Sequence, residues 1–575
     1  MDRTEHRGPD ERGELLLDEW AGLGHVRLSI TDVARGQQPI SNEDGSVSAI
    51  VNGEFYDFER IRDGLISRGH HFKTASDSEI LVHLWEEQGA ACLSELRGEF
   101  AFVLVDRSSD QMFAARDRFG IKPLFLARPE GELLLASEVK ALFAAGFPAT
   151  WDSTSVFDSL HGCRHEGRPS VFNGVEEVPP GHYLLYNAVT GTDQLTRYWS
   201  PDYPRRNMGE LLGWKAGPCA DEAATKDRVR AVLEESVALR ASCELPVACY
   251  LSGGVDSAAV LGMARRLTGR SFDAFTVRFD HPDYDESEAA REMAEHAGAR
   301  YHEVLVSDNE FADSFVESVV QCEGPQINGH ACARFLLSKT VRDAGFKVVL
   351  GGEGGDEMFA GYGFVRAALP KDQLGEGMEE ELPVGVSATA IHDERPKAIH
   401  DALWNTSPVF ATAAKVLSLP SDLTGVLGEG VLLAEELLHP DFKEVHRQRD
   451  PFLEFLRQFD LHKQIGIGTQ PFQVLLHIWM RSHFPGYVLA AERLDAYHAV
   501  EMRLPFLDHK LFEVCRELRN DLAVISATFS TKVSFSIFGA IMTEFYQILC
   551  NLQRAACSTR GTAIRLCCAA SPQVT

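Results

Sequence analysis

The pattern of hydrophobic and polar positions differs between the two halves of the chain. In the first half, apolar runs of four to six residues recur between residues 46 and 137, and one longer amphipathic segment, Ser78 to Glu87, falls among them. Short runs bounded by turn residues are typical of β-strands, whereas a period of 3.6 residues predicts a helix. The first half is therefore predicted to be a layered α/β sandwich. Its predicted strands are 47–51, 100–105, 112–115 and 133–136.

From about residue 221 onward, short apolar runs alternate with helical segments. This alternation predicts a doubly wound parallel sheet with helices on both faces. The pattern becomes mostly helical between residues 402 and 518, while 205–220 has the composition of a linker and 370–400 that of a surface excursion. The predicted strands are 245–251, 272–277, 301–306 and 346–350, and the predicted helices are 229–239, 256–266, 285–298 and 330–344.

Composition narrows the range of partners and locations. The chain has 575 residues, which is enough for two or more domains. Its net charge of −28 argues against nucleic acid as a partner, because phosphate binding depends on basic patches. The twelve cysteines form no paired metal-ligand spacing, so reduced thiols in a cytoplasmic protein are expected. No secretory signal is visible, and we expect no membrane anchor, because Glu544 and Gln547 interrupt the apolar segment 533–550.

A glycine-containing turn follows the predicted strand at 245–251 and opens a helix. A strand, a two-glycine turn and a helix N-terminus direct backbone N–H groups and a helix dipole toward one anion, and serine hydroxyls add donors. An ordinary turn between a strand and a helix is the alternative. The segment is Leu251-Ser-Gly-Gly-Val-Asp-Ser257.

A second glycine-containing loop, Gly351 to Glu357, follows the predicted strand at 346–350. It interleaves four glycines with three carboxylates, which suits a loop where a polyphosphate and Mg²⁺ lie close to the backbone. Asp256 and Asp356 are candidate magnesium ligands, one from each loop. A solvated acidic turn is the alternative.

These segments resemble the synthetase domain of the N-type ATP pyrophosphatases, and more narrowly that of asparagine synthetase. The resemblance rests on three ordered motifs: Ser252-Gly-Gly-Val-Asp-Ser257, Gly352-Glu-Gly-Gly-Asp-Glu-Met-Phe-Ala-Gly-Tyr362 and Glu501-Met-Arg-Leu-Pro-Phe-Leu-Asp-His509. It implies ATP and Mg²⁺ as cofactors and Glu353 as the catalytic residue that orients the intermediate or accepts a proton from ammonia. The residues implied at the ATP site are Tyr250, Ser252, Gly253, Gly254, Asp256, Ser257, Val277, Gly351 and Gly352.

Five ordered motifs in the first half are similar to the class II glutamine amidotransferase domain, which has the N-terminal-nucleophile fold. They are His6-Arg-Gly-Pro-Asp10, Gly24-His-Val-Arg-Leu-Ser-Ile30, Asn52-Gly-Glu-Phe-Tyr56, Ser76-Asp-Ser-Glu79 and Ala115-Arg-Asp-Arg-Phe-Gly-Ile-Lys-Pro-Leu124. Arg27 suits the glutamine carboxylate and Asp77 its α-ammonium group. Asn52 and Gly53 are candidate donors to an oxyanion, and Glu54 completes the expected glutamine site.

The two resemblances give an expected organisation in three parts. The fold class is α/β, with an N-terminal-nucleophile sandwich in residues 1–200 and a doubly wound parallel-sheet synthetase domain in 221–522 that ends in a mostly helical part. Residues 523–575 form an atypical tail in which the resemblance is lost. A retained intron or a change of frame is the preferred explanation of the tail, and a splice form is the alternative.

Three departures from the family patterns affect the expected activity. The family nucleophile is a cysteine directly after the initiator methionine, but here Asp2 follows Met1, so we expect no glutamine hydrolysis by the chain as given. The lysine that faces the glutamate of Gly-Glu-Gly in the family has no counterpart in context, since Lys532 is the only lysine beyond Lys510. Glu492-Arg-Leu-Asp-Ala-Tyr497 replaces the family's usual Asp-Arg-x-Ser-Met, which leaves open an acceptor other than aspartate.

Three functions therefore stay open. The first is an asparagine synthetase that amidates aspartate through a β-aspartyl-AMP intermediate with nitrogen from glutamine or ammonia. The second is a lactam- or amide-forming synthetase that uses the same adenylation on another carboxylate. The third is a nucleotide-binding chain without turnover. The expected partners are the small-molecule substrates, with a homodimer as a further option and neither nucleic acid nor membrane.

Overall fold

The computed structural model describes residues 1–17, 20–165, 170–203, 222–279, 285–326, 329–362, 365, 395–416, 431–432, 434, 436–459 and 471–517. The predicted linker at 205–220, most of the excursion at 370–400 and the tail at 523–575 lie outside these residues. Across the described residues, no helix is both long enough and apolar enough to cross a membrane.

The first half is built around a six-stranded antiparallel sheet with the strand order β11-β10-β6-β5-β4-β3. The hairpin β1–β2 packs against one face of this sheet, and the helices Phe58–Ser67 and Ile80–Gln88 pack against the other. A three-stranded sheet, β8-β7-β9, adjoins it. The strands are β1 Glu11–Leu17, β2 Ala21–Arg27, β3 Ile40–Ser41, β4 Val47–Tyr56, β5 Arg97–Asp106, β6 Gln111–Arg116, β7 Phe125–Ala127, β8 Leu134–Ala136, β9 Val175–Glu177, β10 His182–Asn187 and β11 Thr192–Arg197.

The strand β5 shows how the sequence produces this layering. Successive side chains of a strand point to opposite faces of its sheet, so a strand buried on both faces reads as one continuous apolar run. Phe100, Phe102 and Leu104 pack under the two helices, whereas Ala101 and Val103 pack under the hairpin. The larger side chains thus fill the helical layer, and the smaller ones allow the hairpin to approach.

The second half contains a five-stranded parallel sheet with the order β14-β13-β12-β15-β16. The predicted doubly wound sheet is therefore confirmed, with one strand more than the hydrophobic pattern indicated. The additional strand lies in the third synthetase motif and is only three residues long, too short to show a period. The strands are β12 Val247–Tyr250, β13 Asp273–Phe279, β14 Arg300–Val306, β15 Val348–Leu350 and β16 Glu501–Arg503.

Helices account for most of the remaining described residues. The first predicted helix is divided in the structure, because Asp77–Glu79 is a 3₁₀ turn that precedes the α-helix Ile80–Gln88. The other helices of the first half are Asp2–Arg7 and Gly89–Ser94, both 3₁₀, and Phe58–Ser67, Val139–Ala144 and Ser153–Leu160. Those of the second half are Glu222–Ala241, Val255–Thr268, Ser287–Ala297, Asp308–Cys322, His330–Asp343, Gly355–Phe359, Arg395–Thr406, Pro408–Val416, Pro440–His446, Pro451–Arg457, Pro471–Arg481, His483–Tyr497 and His509–Cys515.

A buried ionic network joins the two halves. Arg240 Nε donates to Glu99 Oε1 at 2.7 Å, and both Arg240 Nη1 (3.1 Å) and Arg97 Nε (2.8 Å) donate to Asp508 Oδ2. All four side chains are buried, so each charge depends on its partners for stabilisation. Glu99 also accepts from the backbone N–H of Leu504 at 2.9 Å, which fixes the segment after β16 against the amidotransferase sheet.

Candidate active site

The two glycine-containing loops lie side by side because β12 and β15 are neighbouring parallel strands. Cys249 pairs with Leu350 in the register of these strands, so the loops that follow them leave the same edge of the sheet. From β12 the chain proceeds to β13 and β14 on one side, while β15 and β16 lie on the other. The loops therefore flank the point where the strand order reverses, where open α/β sheets bind their ligands.

The first loop turns its backbone N–H groups toward side-chain acceptors. Ser252 N donates to Ser257 Oγ at 3.0 Å, and Gly254 N donates to Ser252 Oγ at 3.1 Å. Gly253 N donates to Glu286 Oε2 at 3.0 Å, so a carboxylate oxygen already accepts from this turn. The helix Val255–Thr268 begins directly after it. Three consecutive amides and a helix N-terminus form a site that suits an anion.

The second loop contacts the first so closely that two of its glycines are required. A Cβ at Gly352 would lie 2.7 Å from Ser257 N, and a Cβ at Gly355 would lie 2.3 Å from Asp256 Cγ. A side chain at Gly352 would therefore clash with the backbone of the first loop, whereas one at Gly355 would displace the carboxyl group of Asp256. The glycine spacing of the motif therefore reflects direct contact between the loops.

The two predicted magnesium ligands interact with one another. Burial, and then the neighbouring charge of Asp356, raise the pKa of Asp256 from 3.8 to about 7. Two carboxylates brought together in this way bind a divalent cation favourably, because the cation removes their repulsion, and Mg²⁺ prefers carboxylate oxygens. The residues present thus fit Mg²⁺, although the assignment stays a prediction.

The next acid of the second loop, Glu357, has a different role. Tyr362 Oη donates to its carboxyl group, and Trp479 Nε1 donates to Oε1 at 2.9 Å. Burial, followed by the charge of Asp356, raises the pKa of Glu357 to about 8. Glu357 therefore connects the loop to the helix Pro471–Arg481 and takes no part in the predicted magnesium site.

A half-buried cation that the sequence analysis did not identify lies beside Glu353. Arg334, on the helix His330–Asp343, donates through Nη1 to Glu353 Oε1 at 2.8 Å and through Nη2 to Asp495 Oδ2 at 2.6 Å. Its guanidinium lies 4.0 Å from the centre of the Tyr250 ring, and Tyr250 Oη donates to Asp495 Oδ1 at 2.9 Å. The replacement of the family serine by Asp495 was the one sequence signal that pointed to this cluster.

The predicted catalytic residue is held in place by this arginine. Glu353 Oε1 accepts from Arg334, while Glu353 Oε2 is buried without a hydrogen-bond partner among the described residues. The carboxylate lies at the start of the second loop, directly after Gly352. One oxygen is thus oriented by the protein, and the other is available to a ligand or a proton.

Two other residues of the predicted ATP site surround the first loop. Val277 lies on β13, half-buried, two residues beyond Phe275, whose carbonyl accepts from Leu251 N at 2.9 Å. Gly351 donates its N–H to the carbonyl of Arg503 at 3.0 Å, which joins the second loop to β16. Both positions are consistent with a nucleotide bound at the two glycine-containing loops, and the role of each residue stays a prediction.

The five predicted glutamine-site residues line one cavity of about 350 Å³. The far wall of this cavity comes from the second half of the chain, through Glu492, Ala496, Val500 and Glu501. The structure thus brings together all five predicted residues: Arg27, Asn52, Gly53, Glu54 and Asp77.

Three residues of this cavity, Arg27, Asn52 and Gly53, have contacts that bear on ligand binding. Arg27 already holds a carboxylate, that of Glu11 at 2.8 Å, and also donates to the carbonyls of Thr31 and Asp32. Asn52 Nδ2 is buried without a hydrogen-bond partner among the described residues, which leaves a donor for a ligand. A Cβ at Gly53 would lie 1.9 Å from the carbonyl of Glu99, and its φ is +118°, so the turn requires glycine.

The carboxyl groups of Glu54 and Asp77 share the cavity, and the pKa of each is raised. Burial, and then the charge of Asp77, raise the pKa of Glu54 well above its ordinary value, and burial raises the pKa of Asp77 to about 6. Arg503 of β16 lies 2.9 Å from Glu54, and Asp77 accepts from Phe55 N at 2.8 Å. The sheet of the second half therefore supplies a counter-charge to the glutamine motif.

The sequence matches two protein families in order along the chain. Residues 1–199 match the family described as a glutamine amidotransferase domain, and residues 228–528 match the family described as asparagine synthase. The second match alone covers more than half of the chain.

Three known proteins resemble the chain over most of its length. The protein named Amidase chyE, from Penicillium rubens, is 34% identical over 548 aligned residues that cover 89% of this chain and 76% of that one. Amidase chry2 of Gibberella zeae is 32% identical over 533 residues, covering 89% and 77%. The glutamine-hydrolyzing asparagine synthetase 1 of Bacillus subtilis is 26% identical over 534 residues, covering 91% and 78%.

Proposed function

Because the chain belongs to the asparagine synthase family and carries a glutamine amidotransferase domain ahead of its synthase domain, we propose that it is an ATP-dependent carbon–nitrogen ligase. In this proposal it amidates a carboxylic acid through an acyl-adenylate, with nitrogen from glutamine or ammonia. The observation that carries the proposal is the pair of glycine-containing loops at the reversal of strand order, in contact through Gly352 and Ser257.

The reaction balances in two steps. An oxygen of the acceptor carboxylate attacks the α-phosphorus of ATP, the bond from that phosphorus to the bridging oxygen breaks, and pyrophosphate leaves. In this proposal the N–H groups of Ser252, Gly253 and Gly254 hold the pyrophosphate in place of the side-chain acceptors to which they now donate. Bound to Asp256 and Asp356, Mg²⁺ would neutralise part of the phosphate charge.

In the second step, ammonia attacks the acyl carbon, AMP leaves with the former carboxylate oxygen, and a proton is released. Glu353 is the proposed acceptor of that proton, because Arg334 orients one of its oxygens and the other has no hydrogen-bond partner within the part of the chain that the structure describes. Adenylation is needed because a carboxylate oxygen is a poor leaving group, whereas AMP is a good one. The catalytic assignment of Glu353 thus rests on the position of its free oxygen.

The cavity next to the glutamine motif lies one helix away from Glu353. Ala496 lines this cavity, and the adjacent residue Asp495 contacts Arg334 beside Glu353. Both residues belong to the helix His483–Tyr497, so this helix separates the glutamine motif from the acyl site.

Aspartate is the first acceptor to test, but the charges beside Glu353 favour a second candidate. Arg334 contributes one positive charge, while Asp495 and Glu353 together contribute two negative charges. Aspartate has a second carboxylate that needs a cation of its own, and Arg334 is already paired with both Asp495 and Glu353. A monocarboxylic acceptor has no such requirement, and two relatives carry the name amidase.

Pyrophosphate release distinguishes these candidates. The purified chain is incubated with ATP, Mg²⁺ and ammonia, and with either aspartate or a panel of monocarboxylic acids that includes N-acyl amino acids. Stimulation by aspartate alone supports asparagine synthesis, and stimulation by a monocarboxylic acid alone supports the second candidate. Binding of ATP without pyrophosphate release under any of these conditions contradicts the proposed ligase.

The described cysteines also bear on location. Seven of them are free thiols, and none forms a disulfide within the described part of the chain. Reduced thiols are typical of proteins in a reducing compartment, so the location we propose is the cytoplasm.

A further inference from the structure

Two imidazoles and two carboxylates converge in the amidotransferase domain, in a cluster separate from the residues of both predicted sites. The four residues are Glu43, His70, His83 and Glu86, and one ligand atom from each lies within 4.8 Å of the others. His83 and Glu86 share the helix Ile80–Gln88, Glu43 lies in the turn before β4, and His70 follows the helix Phe58–Ser67. Three separate segments thus contribute to one point.

Four distances between imidazole nitrogens and carboxylate oxygens are close to the edges of a metal tetrahedron. Glu86 Oε2 lies 3.3 Å from His83 Nδ1 and 3.8 Å from His70 Nδ1. Glu43 Oε2 lies 3.5 Å from His83 Nδ1 and Glu43 Oε1 lies 3.5 Å from His70 Nδ1, so the Glu43 carboxylate would have to rotate to offer one oxygen to the ion. A tetrahedral Zn²⁺ with ligands at about 2.1 Å places neighbouring ligand atoms about 3.4 Å apart. The cluster therefore needs only small adjustments to surround one ion.

The surroundings of the four ligands provide the second, independent observation. The remaining nitrogen of each imidazole faces a further carboxylate: His83 Nε2 lies 3.8 Å from Glu79, and His70 Nε2 lies 3.3 Å from Glu87. His83 is fully buried, and its Nε2 has no hydrogen-bond partner among the described residues. Metal-bound histidines characteristically donate their second N–H to a carboxylate. Glu87 lies near His70 Nε2 for this role, whereas Glu79, at 3.8 Å, would have to move closer to accept from His83 Nε2.

The carboxylate ligands are oriented as well. Glu43 accepts from the backbone N–H of His71 at 2.8 Å, and Glu86 accepts from Asn42 Nδ2 at 2.8 Å. With both imidazoles neutral, as metal ligation requires, the two carboxylates carry a charge of −2 that a divalent cation would balance. A set of two imidazoles and two carboxylates suits zinc or a similar transition ion better than Mg²⁺ or Ca²⁺.

We propose that Glu43, His70, His83 and Glu86 bind one divalent transition-metal ion, with Zn²⁺ as the best fit, in a closed structural site. The ion would fasten the segment from His70 to Glu79 to the sheet and to the helix Ile80–Gln88. Glu79 already accepts from Lys73 N at 2.6 Å and from Thr74 N at 2.7 Å, so the segment is closed on itself by these two bonds. Asp77 of the glutamine motif lies within it, so the ion would stabilise that motif at a distance.

The test compares two adjacent histidines in the full chain. His70→Ala removes a predicted ligand that is partly exposed, and His71→Ala is the matched control, because His71 contributes only its backbone N–H to the cluster. Chelator-treated protein is titrated with Zn²⁺ and separately with Co²⁺, and metal content, visible absorption and melting temperature are measured. Far-UV circular dichroism verifies that each variant is folded.

The proposal predicts about one zinc per chain, a melting temperature that rises with zinc, and the intense visible band of four-coordinate Co²⁺. His70→Ala should abolish the band and weaken zinc binding by at least about 100-fold, whereas His71→Ala should behave as the wild type. Glu87→Gln, which changes a carboxylate behind His70, should weaken binding by about 10- to 100-fold. Failure of the wild type to bind either metal, or equal binding by His70→Ala, overturns the proposal.

Discussion

Replacement of Asp256 by asparagine is expected to make the protein more stable while removing its activity. Asp256 lies in the first turn of the helix Val255–Thr268, where burial and the charge of Asp356 raise its pKa from 3.8 to about 7. Ionising this carboxyl group at neutral pH therefore costs the folded state free energy. Asparagine has nearly the same shape and carries no charge, so it removes that cost.

The size of the effect follows from the pKa shift. A shift of about three pKa units corresponds to about 4 kcal/mol, and partial exposure of the carboxyl group to solvent reduces the expected gain to about 2 kcal/mol. Because the folded pKa is raised, the wild type loses stability as the pH rises from the unfolded pKa of 3.8 to the folded pKa of about 7. The advantage of Asp256→Asn should thus be larger at about pH 8 than at about pH 5.5.

The assay is thermal unfolding without Mg²⁺ at both pH values. Asp308→Asn is the matched control, because Asp308 also lies in the first turn of a helix but is exposed, so both changes remove the same favourable interaction with the helix dipole. Asp256→Asn should melt a few degrees above the wild type at the higher pH, and Mg²⁺ should narrow that gap by stabilising only the wild type. A gap that is absent, or equal at both pH values, would refute the reasoning.

Three further changes test other parts of the structure. Arg334→Met should lower the free energy of unfolding by about 3 kcal/mol, because it leaves Asp495 and Glu353 without their counter-charge. It should also reduce pyrophosphate release. Urea denaturation measures the first effect, and an activity assay measures the second. Although burial opposes it, the guanidinium groups of Arg240 and Arg97 hold the pKa of Asp508 well below its ordinary value. Asp508→Asn should therefore lower the free energy of unfolding by about 3–5 kcal/mol near neutral pH. Thermal melts at a series of pH values should show this loss shrinking as the pH falls below 3.8. Ser257→Ala should raise the KM for ATP by about 5- to 10-fold, because it removes a hydroxyl donor from the proposed phosphate site. An unchanged KM would contradict a role of Ser257 in binding phosphate.

The parts of the fold that could be predicted from the sequence are those set by local patterns. Each glycine-containing loop follows an apolar run directly, so its position at the end of a strand could be predicted from neighbouring residues alone. The parallel sheet followed from the alternation of strands and helices. The strand β16 could not be predicted in this way, because its three residues form a strand only by pairing with β15.

The charges around the site could not be predicted, because they come from residues far apart in sequence. Arg334 and Asp495 are separated by 161 positions, and Glu54 meets Arg503 from the other half of the chain. Neither pair leaves a periodic signal in the sequence. The replacement at Asp495 could be recognised only as a departure from a family motif, and its partner emerged from the packing of two helices.

The central claim is that ATP is cleaved between its α- and β-phosphates at the two glycine-containing loops. The most direct measurement is ³¹P NMR of the products formed from ATP and Mg²⁺ with ammonia and the acceptor panel, for the wild type and Asp256→Asn. The account predicts AMP and pyrophosphate in equal amounts from the wild type, only when an acceptor is present, and neither product from the variant. Formation of ADP and phosphate, or equal AMP production by the variant, would contradict it.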